Sequence, residues 1–157
     1  MDSKIVLFKY AIYYLSKYSS SKKNLEYILK KKIRRITDDK RLRFELYDEI
    51  KKIILKLENQ NLINDANFTN SKIQNLITHG KSKNLIKQYL LKKGVNIELI
   101  NSQISLAYKN NHNIEKENAI RFAKKKKLFD KNIDYEKKLA KMARAGFSYD
   151  MCKKILG

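Results

Sequence analysis

Positive charge placed at intervals is the chemistry this chain offers. Lys30, Lys31, Lys32, Arg34 and Arg35 form one cluster, Lys92 and Lys93 a second, and Lys137, Lys138, Lys141 and Arg144 a third. Ammonium and guanidinium groups in such runs neutralise phosphates or carboxylates, so they imply a nucleic acid or an acidic protein surface as partner. The whole sequence agrees: 36 basic residues stand against 16 acidic ones, a formal charge of +20 in 157 residues. Two plainer accounts compete. Lysine, asparagine and isoleucine rise together in an A- and T-rich coding sequence, which explains lysine in place of arginine but not the shortage of Asp and Glu. Lysines near helix C-termini also complement the macrodipole, at about 0.3–1 kcal/mol apiece.

Residues for other chemistry are scarce. His79 and His112 are the only histidines; they stand far apart in the sequence, and neither has a cysteine or carboxylate at metal-ligand spacing. Both read as surface or turn residues. No glycine-rich phosphate loop or nucleophile motif occurs, and Asp38, Asp39, Glu45, Asp48 and Glu49 read as a helix cap followed by a solvated face. The expectation is a protein that is not an enzyme and takes no cofactor and no metal.

The elements that position the basic clusters repeat. Lys92-Lys93-Gly94-Val95 and Arg144-Ala145-Gly146-Phe147 each follow an amphipathic stretch, as a helix closed by a left-handed glycine and a hydrophobic neighbour would. Counting back twelve residues from each glycine reaches Ser82 and Asp134, both good N-caps; counting back eight and four reaches Ile86 and Leu90, or Lys138 and Met142. Ser21, Leu25 and Leu29 fit the same template, with Ile33 at the glycine position and Arg34-Arg35 as a basic tail. One helical module is thus used three times.

With no proline and four glycines, helices run uninterrupted and tight hairpins are scarce. Periodicity predicts nine helices. The first runs from Ser3 to Tyr18 with Phe8, Ala11, Ile12 and Leu15 inward, the second from Ser21 to about Ile33, and the third from Asp38 or Asp39 past Leu57. After a polar break, Asp65 caps a fourth that runs to His79 and Gly80; the second module and a helix from Asn96 to about Tyr108 follow. The last three are Glu115 to about Leu128, the module from Asp134, and a short helix capped by Ser148. The expected fold is all-α: an elongated, curved array of three tandem three-helix repeats at residues 1–61, 62–112 and 113–157. Phe8, Phe44, Phe68, Phe122 and Phe147 are read as core, and the single cysteine, Cys152, as buried and inert. No apolar run approaches the roughly 20 residues of a membrane span, and the N-terminal stretch lacks a signal-peptide core. A cytoplasmic monomer without membrane association is expected.

The order of these features resembles the RecX family of bacterial recombination regulators. The resemblance rests on Ala11 to Leu15, Ser21 to Leu25 with Leu29, Leu57 with Asn61 to Asp65 and Phe68, Ser82 to Val95, Ala119 and Ala123 with Lys124 to Lys127, and Gly146-Phe147-Ser148. It spans nearly the whole chain. It departs at Ile33-Arg34, where the family pattern ends the first module with glycine and an aromatic.

The resemblance implies a non-enzymatic protein that binds the RecA recombinase filament and restrains its ATP hydrolysis and strand exchange in DNA recombination and repair, with single- or double-stranded DNA as a further partner. On that reading the contact set comprises Lys30, Lys31, Lys32, Arg34, Arg35, Lys92, Lys93, Lys124, Lys125, Lys126, Lys137, Lys138, Lys141 and Arg144. The alternative is a basic helical-repeat protein that binds nucleic acid alone, with some of its ten tyrosines as stacking platforms.

Overall fold

The structure, a computed structural model, describes residues 2–157, and among them the chain forms nine α-helices and no strand. They are α1 (Ser3–Lys17), α2 (Lys22–Ile36), α3 (Lys40–Asn59), α4 (Asp65–Thr78), α5 (Lys83–Lys92), α6 (Ile97–Lys109), α7 (Ile114–Lys125), α8 (Tyr135–Arg144) and α9 (Tyr149–Leu156). The chain divides into two compact units, Met1–Phe68 with Lys93–Val95, and Thr69–Lys92 with Asn96–Gly157. In the first, Leu7 and Ala11 of α1 meet Leu25, Leu29 and Ile33 of α2 and Leu46, Ile50, Ile53 and Leu57 of α3. In the second, Ala119, Ala123 and Leu128 pack with Met142, Phe147 and Cys152. The rings of Phe122 and Phe147 lie 5.8 Å apart there.

Helix starts follow the side chains that favour them. Ser21, Ser82 and Asp134 accept from the N–H groups of Asn24, Leu85 and Lys137, three residues on, at 3.1, 3.2 and 3.3 Å. Each satisfies one donor that the helix cannot pair internally. Asp39, Asn96 and Ser148 cap α3, α6 and α9 in the same way. At α4 the cap is Asn64, whose side chain accepts from Asn67 N–H at 3.0 Å. Asp65, read from sequence as that cap, is the first helical residue and sends its carboxylate to another helix.

Most helix ends use the left-handed conformation. Gly80, Gly94 and Gly146 have φ of 75°, 73° and 90°, and Asn61 and Lys127 take the same conformation after α3 and α7. The residue after each of Asn61, Gly80, Lys127 and Gly146 returns its N–H to a carbonyl five residues back, as in Leu62 to Leu57 at 2.9 Å and Phe147 to Met142 at 3.3 Å. For α7 this ends the helix at Lys125, three residues before the expected Leu128, which is buried beyond the turn. Without a glycine, α2 runs on to Ile36, and Ile33 is fully buried in the first core.

Two faces differ from expectation. In α1 the buried stripe runs through Leu7 and Ala11, which rotates Ile12 to 37% exposure. Phe44 is 75% exposed, because Leu46, Ile50, Ile53 and Leu57 set the inner face of α3 and a residue two before Leu46 points the other way. Cys152 is buried as expected; its thiol faces the Phe147 carbonyl at 3.6 Å, and burial raises its pKa.

The N-termini of α2 and α5 are completed by residues far along the chain. Ser21 Oγ donates to the Lys93 carbonyl beside Gly94, and Ser82 Oγ donates to the Ala145 carbonyl beside Gly146 at 2.6 Å. The next donor is satisfied too: Lys22 N–H reaches Asp65 Oδ1 at 2.8 Å, and Lys83 N–H reaches the Glu115 carboxylate at 3.0 and 3.2 Å. A negative carboxylate there also complements the positive end of the helix dipole. The glycines matter twice in these locks. A Cβ at Gly94 would overlap Lys23 Cβ, and one at Gly146 would overlap Ser82 Oγ.

Candidate functional site

The basic residues named from sequence fall on helix ends and outer helix faces. On α2, Lys30 is tied to Glu26 at 2.6 Å, which holds the Glu26 carboxyl below its ordinary pKa. Lys31 lies 4.7 Å over the Tyr27 ring, and Lys32 lies 4.8 Å over that of Tyr10. Arg34 and Arg35 are exposed. Tyr27, Lys31 and Arg34 follow at steps of four and three, so they share one outer face. Lys31, with a smaller contribution from Arg34, pulls the Tyr27 hydroxyl below its usual pKa. That is the mark of a locally positive surface.

Lys93 serves the first lock: its carbonyl accepts from Ser21, and its ammonium reaches Asn24 Oδ1 at 3.3 Å. Lys92, one residue earlier, is exposed and borders a mostly apolar cavity of about 350 Å³ with Leu76, Leu85 and Tyr89. On α8, Lys137, Lys141 and Arg144 form an exposed face at steps of four and three, and Arg144 Nε donates back to the Ala140 carbonyl at 3.2 Å. Lys138 is half-buried, at the register position that Leu25 and Ile86 hold in the other modules.

Lys124, Lys125 and Lys126 close α7, all exposed. Lys125 and Lys126 line a cavity of about 260 Å³ with His79, Gly80, Lys81, Arg121 and Phe122. Arg121 is anchored through Nη1 to the Thr78 carbonyl at 2.8 Å. Sequence reading named neither Lys81 nor Arg121. The one available signal was the four-residue step from Arg121 to Lys125, which puts both on one face of α7.

Beside this cavity the second lock is electrostatically unusual. Burial raises the pKa of Glu115 against the opposing pull of the Lys83 N–H and charge, and burial with the nearby carboxylate raises that of Tyr108. The Lys83 ammonium lies 5.3 Å over the Tyr108 ring. Among the described residues no group of three or more His, Cys, Asp or Glu side chains is placed to hold a metal ion, and no helix is long and apolar enough to cross a membrane.

No family model matches the sequence. A regulatory protein RecX from Myxococcus xanthus (strain DK1622), however, is 30% identical over 160 residues, covering 93% of this chain and 81% of the relative. The chain belongs to the RecX family. Another regulatory protein RecX, from Clostridioides difficile (strain 630), is 35% identical over 117 residues, which span 70% of this chain and 54% of that relative. The fold agrees with two crystal structures: RecX from Lactobacillus salivarius (TM-score 0.70, 24% identity, 99% of this chain and 95% of that one) and a regulatory protein RecX (TM-score 0.71, 20% identity, 98% and 71%). A regulatory role and an all-α fold follow from RecX membership.

Proposed function

We propose that this RecX-family chain binds the RecA–DNA filament and modulates it, mainly by inhibiting recombinase ATP hydrolysis and strand exchange. The observation that supports this reading most is the recurrence of exposed cations at helix ends, at the end of α2, at Lys92, at Lys124–Lys126 and along α8. On this proposal residues 1–61, 62–112 and 113–157 act as three repeats, the first two presenting one basic patch each and the third two. Binding at several weak points raises avidity without any single strong contact, and a filament that carries DNA offers both acidic protein surface and phosphate. The contact set is Lys30, Lys31, Lys32, Arg34, Arg35, Lys92, Lys124, Lys125, Lys126, Lys137, Lys138, Lys141 and Arg144, with Lys93 serving mainly the first lock.

The test is single-stranded-DNA-dependent ATP hydrolysis by the cognate recombinase, with the DNA already fully covered, during titration of this protein. Inhibition well below one protein per recombinase monomer is expected. Glutamate reversals on α2, α7 and α8 together should relieve it with helicity intact; unchanged inhibition would remove the basic patches from the account.

A second reading has its own support. Tyr27 and Tyr149 are 55% and 62% exposed and stand beside Lys31 and Lys153, the arrangement of a stacking platform next to charge. A stand-alone binder of nucleic acid would show no effect on the covered filament, and would lose about 10³ to 10⁵ in affinity for naked DNA between 50 and 200 mM salt if it neutralised six to ten phosphates.

A further inference from the structure

The cavity bordered by α4, α5, α7 and α8 in the second compact unit gathers four cations and a histidine: Lys81, Arg121, Lys125, Lys126 and His79. No carboxylate lines it. Three of the bordering elements are helix C-termini, and cations near such ends are ordinarily explained by the carbonyls they serve. Direct pairing with those carbonyls does not account for the lysines here, because the carbonyls take other donors. At the end of α4, Leu76 O accepts from Lys81 N–H, Ile77 O accepts from Gly80 N–H and Asn118 Nδ2, and Thr78 O accepts from Arg121. At the end of α7, Phe122, Ala123 and Lys124 accept from the backbone of Lys126, Leu128 and Lys127. At the end of α8, Ala145 O takes Ser82 Oγ and Gly146 O takes Asn84 Nδ2. Only Arg121 turns its charge on a carbonyl. The side chains of Lys81, Lys125 and Lys126 have no hydrogen bond, ion pair or ring contact among the described residues.

Three lysines that line one concavity without a partner gather like charge at its wall, and an anion inside it relieves that repulsion. The guanidinium of Arg121, already fixed by Thr78, presents its other N–H groups in a rigid fork suited to tetrahedral oxyanions. His79 is oriented as well. Its Nδ1 meets the Asn75 carbonyl at 2.7 Å, so that nitrogen carries the proton. We propose that this cavity is a phosphate-binding site, for a phosphate carried either by a nucleic-acid backbone or by a free nucleotide. The assignment adds to the filament reading without depending on it, because a phosphate site in this cavity requires no recombinase.

The experiment uses the full chain with no recombinase present, at low salt, and follows the imidazole Cε1–H resonances of its two histidines by NMR. Pyrophosphate is titrated first, then ATP and a short dT oligomer separately. His79 lines the cavity and His112 lies in the loop before α7, so the expected result is a saturable shift of His79 with His112 nearly still. The K125Q/K126Q chain should bind pyrophosphate about tenfold more weakly for each ammonium removed, while K9Q/K17Q, with the same change in net charge at two exposed positions of α1, should not. Circular dichroism checks that both variants stay folded. Shifts with the oligomer at lower concentration than with ATP assign the phosphate to a strand, and the reverse order assigns it to a nucleotide. A still His79, or equal losses in the two double variants, would leave only diffuse surface charge and overturn the site.

Discussion

The locks at the N-termini of α2 and α5 share their geometry and differ in their electrostatics. Each has a serine hydroxyl that accepts from its own helix and donates to a distant carbonyl, a glycine that lets that carbonyl approach, and a carboxylate on the next N–H. In the first lock the neighbouring cation is satisfied at the surface. Lys22 Nζ bonds Glu58 at 2.8 Å, and that bond raises the lysine pKa. In the second, Lys83 lies over the Tyr108 ring and the Glu115 carboxylate is raised by burial. The steric parts are therefore held constant while the charged parts vary. A surface pair such as Lys22–Glu58 contributes only about 0–1 kcal/mol, so the hydroxyl, the carbonyl and the missing Cβ carry the locks.

Putting a Cβ into them is the most disruptive change. Gly94→Ala and Gly146→Ala each combine a left-handed residue with overlap against an atom that cannot swing away freely, and should cost about 3–4 kcal/mol. Gly80→Ala is the control. Its φ of 75° is nearly the same as that of Gly94, but the added methyl would meet only the Arg121 side chain, at an ordinary contact distance of 3.4 Å, so about 1–2 kcal/mol is expected. Urea denaturation of the three variants checks the order. Equal losses at all three would mean that the locks add nothing beyond the turn.

Removing the hydroxyls comes next. Ser21→Ala and Ser82→Ala each lose a cap and leave a carbonyl without its donor, for about 1–2 kcal/mol. Asp134→Ala loses a cap alone, since among the described residues its carboxylate accepts only from the Lys137 N–H, and should cost about 0.5–1 kcal/mol. Thermal unfolding of the three chains tests this. An Asp134→Ala loss as large as the serine losses would refute the second role given to the serines.

The parts of these locks that were legible in the sequence are those with local causes. Glycine after an amphipathic run marks a helix end because of its own backbone freedom, and Ser21, Ser82 and Asp134 mark starts because their side chains reach N–H groups three residues on. What stayed hidden is assembled across distance. Asp65 reads as a local cap until the fold places its carboxylate on Lys22 N–H, and Glu115 gives no sign of Lys83, 32 residues earlier. Lys127 closes a helix in a conformation its side chain does not announce. The candidate site divides the same way. Runs such as Lys124–Lys126 are visible as composition, whereas the cavity they share with Lys81, Arg121 and His79 needs residues separated by about forty positions, which no window of the sequence holds together.

The smallest effect is also the one that separates the two locks. Glu115 has a folded pKa above the ordinary 4.5, with burial as the main cause. The folded chain therefore holds that proton more tightly than the unfolded chain does. Its contribution to stability is complete below the unfolded value and is lost as pH rises through the folded one. Glu115→Gln keeps an oxygen for the Lys83 N–H and removes the titration. Relative to the parent chain, E115Q should gain stability as pH rises from 4.5, reaching its full advantage once pH has passed the folded value. Paired denaturation curves between about pH 4 and pH 7 read this directly. A difference between the two chains that stays flat, or that shrinks with pH, would mean the half-buried carboxylate is better satisfied by Lys83 than its burial implies, and the second lock would then resemble the first in charge as well as in shape.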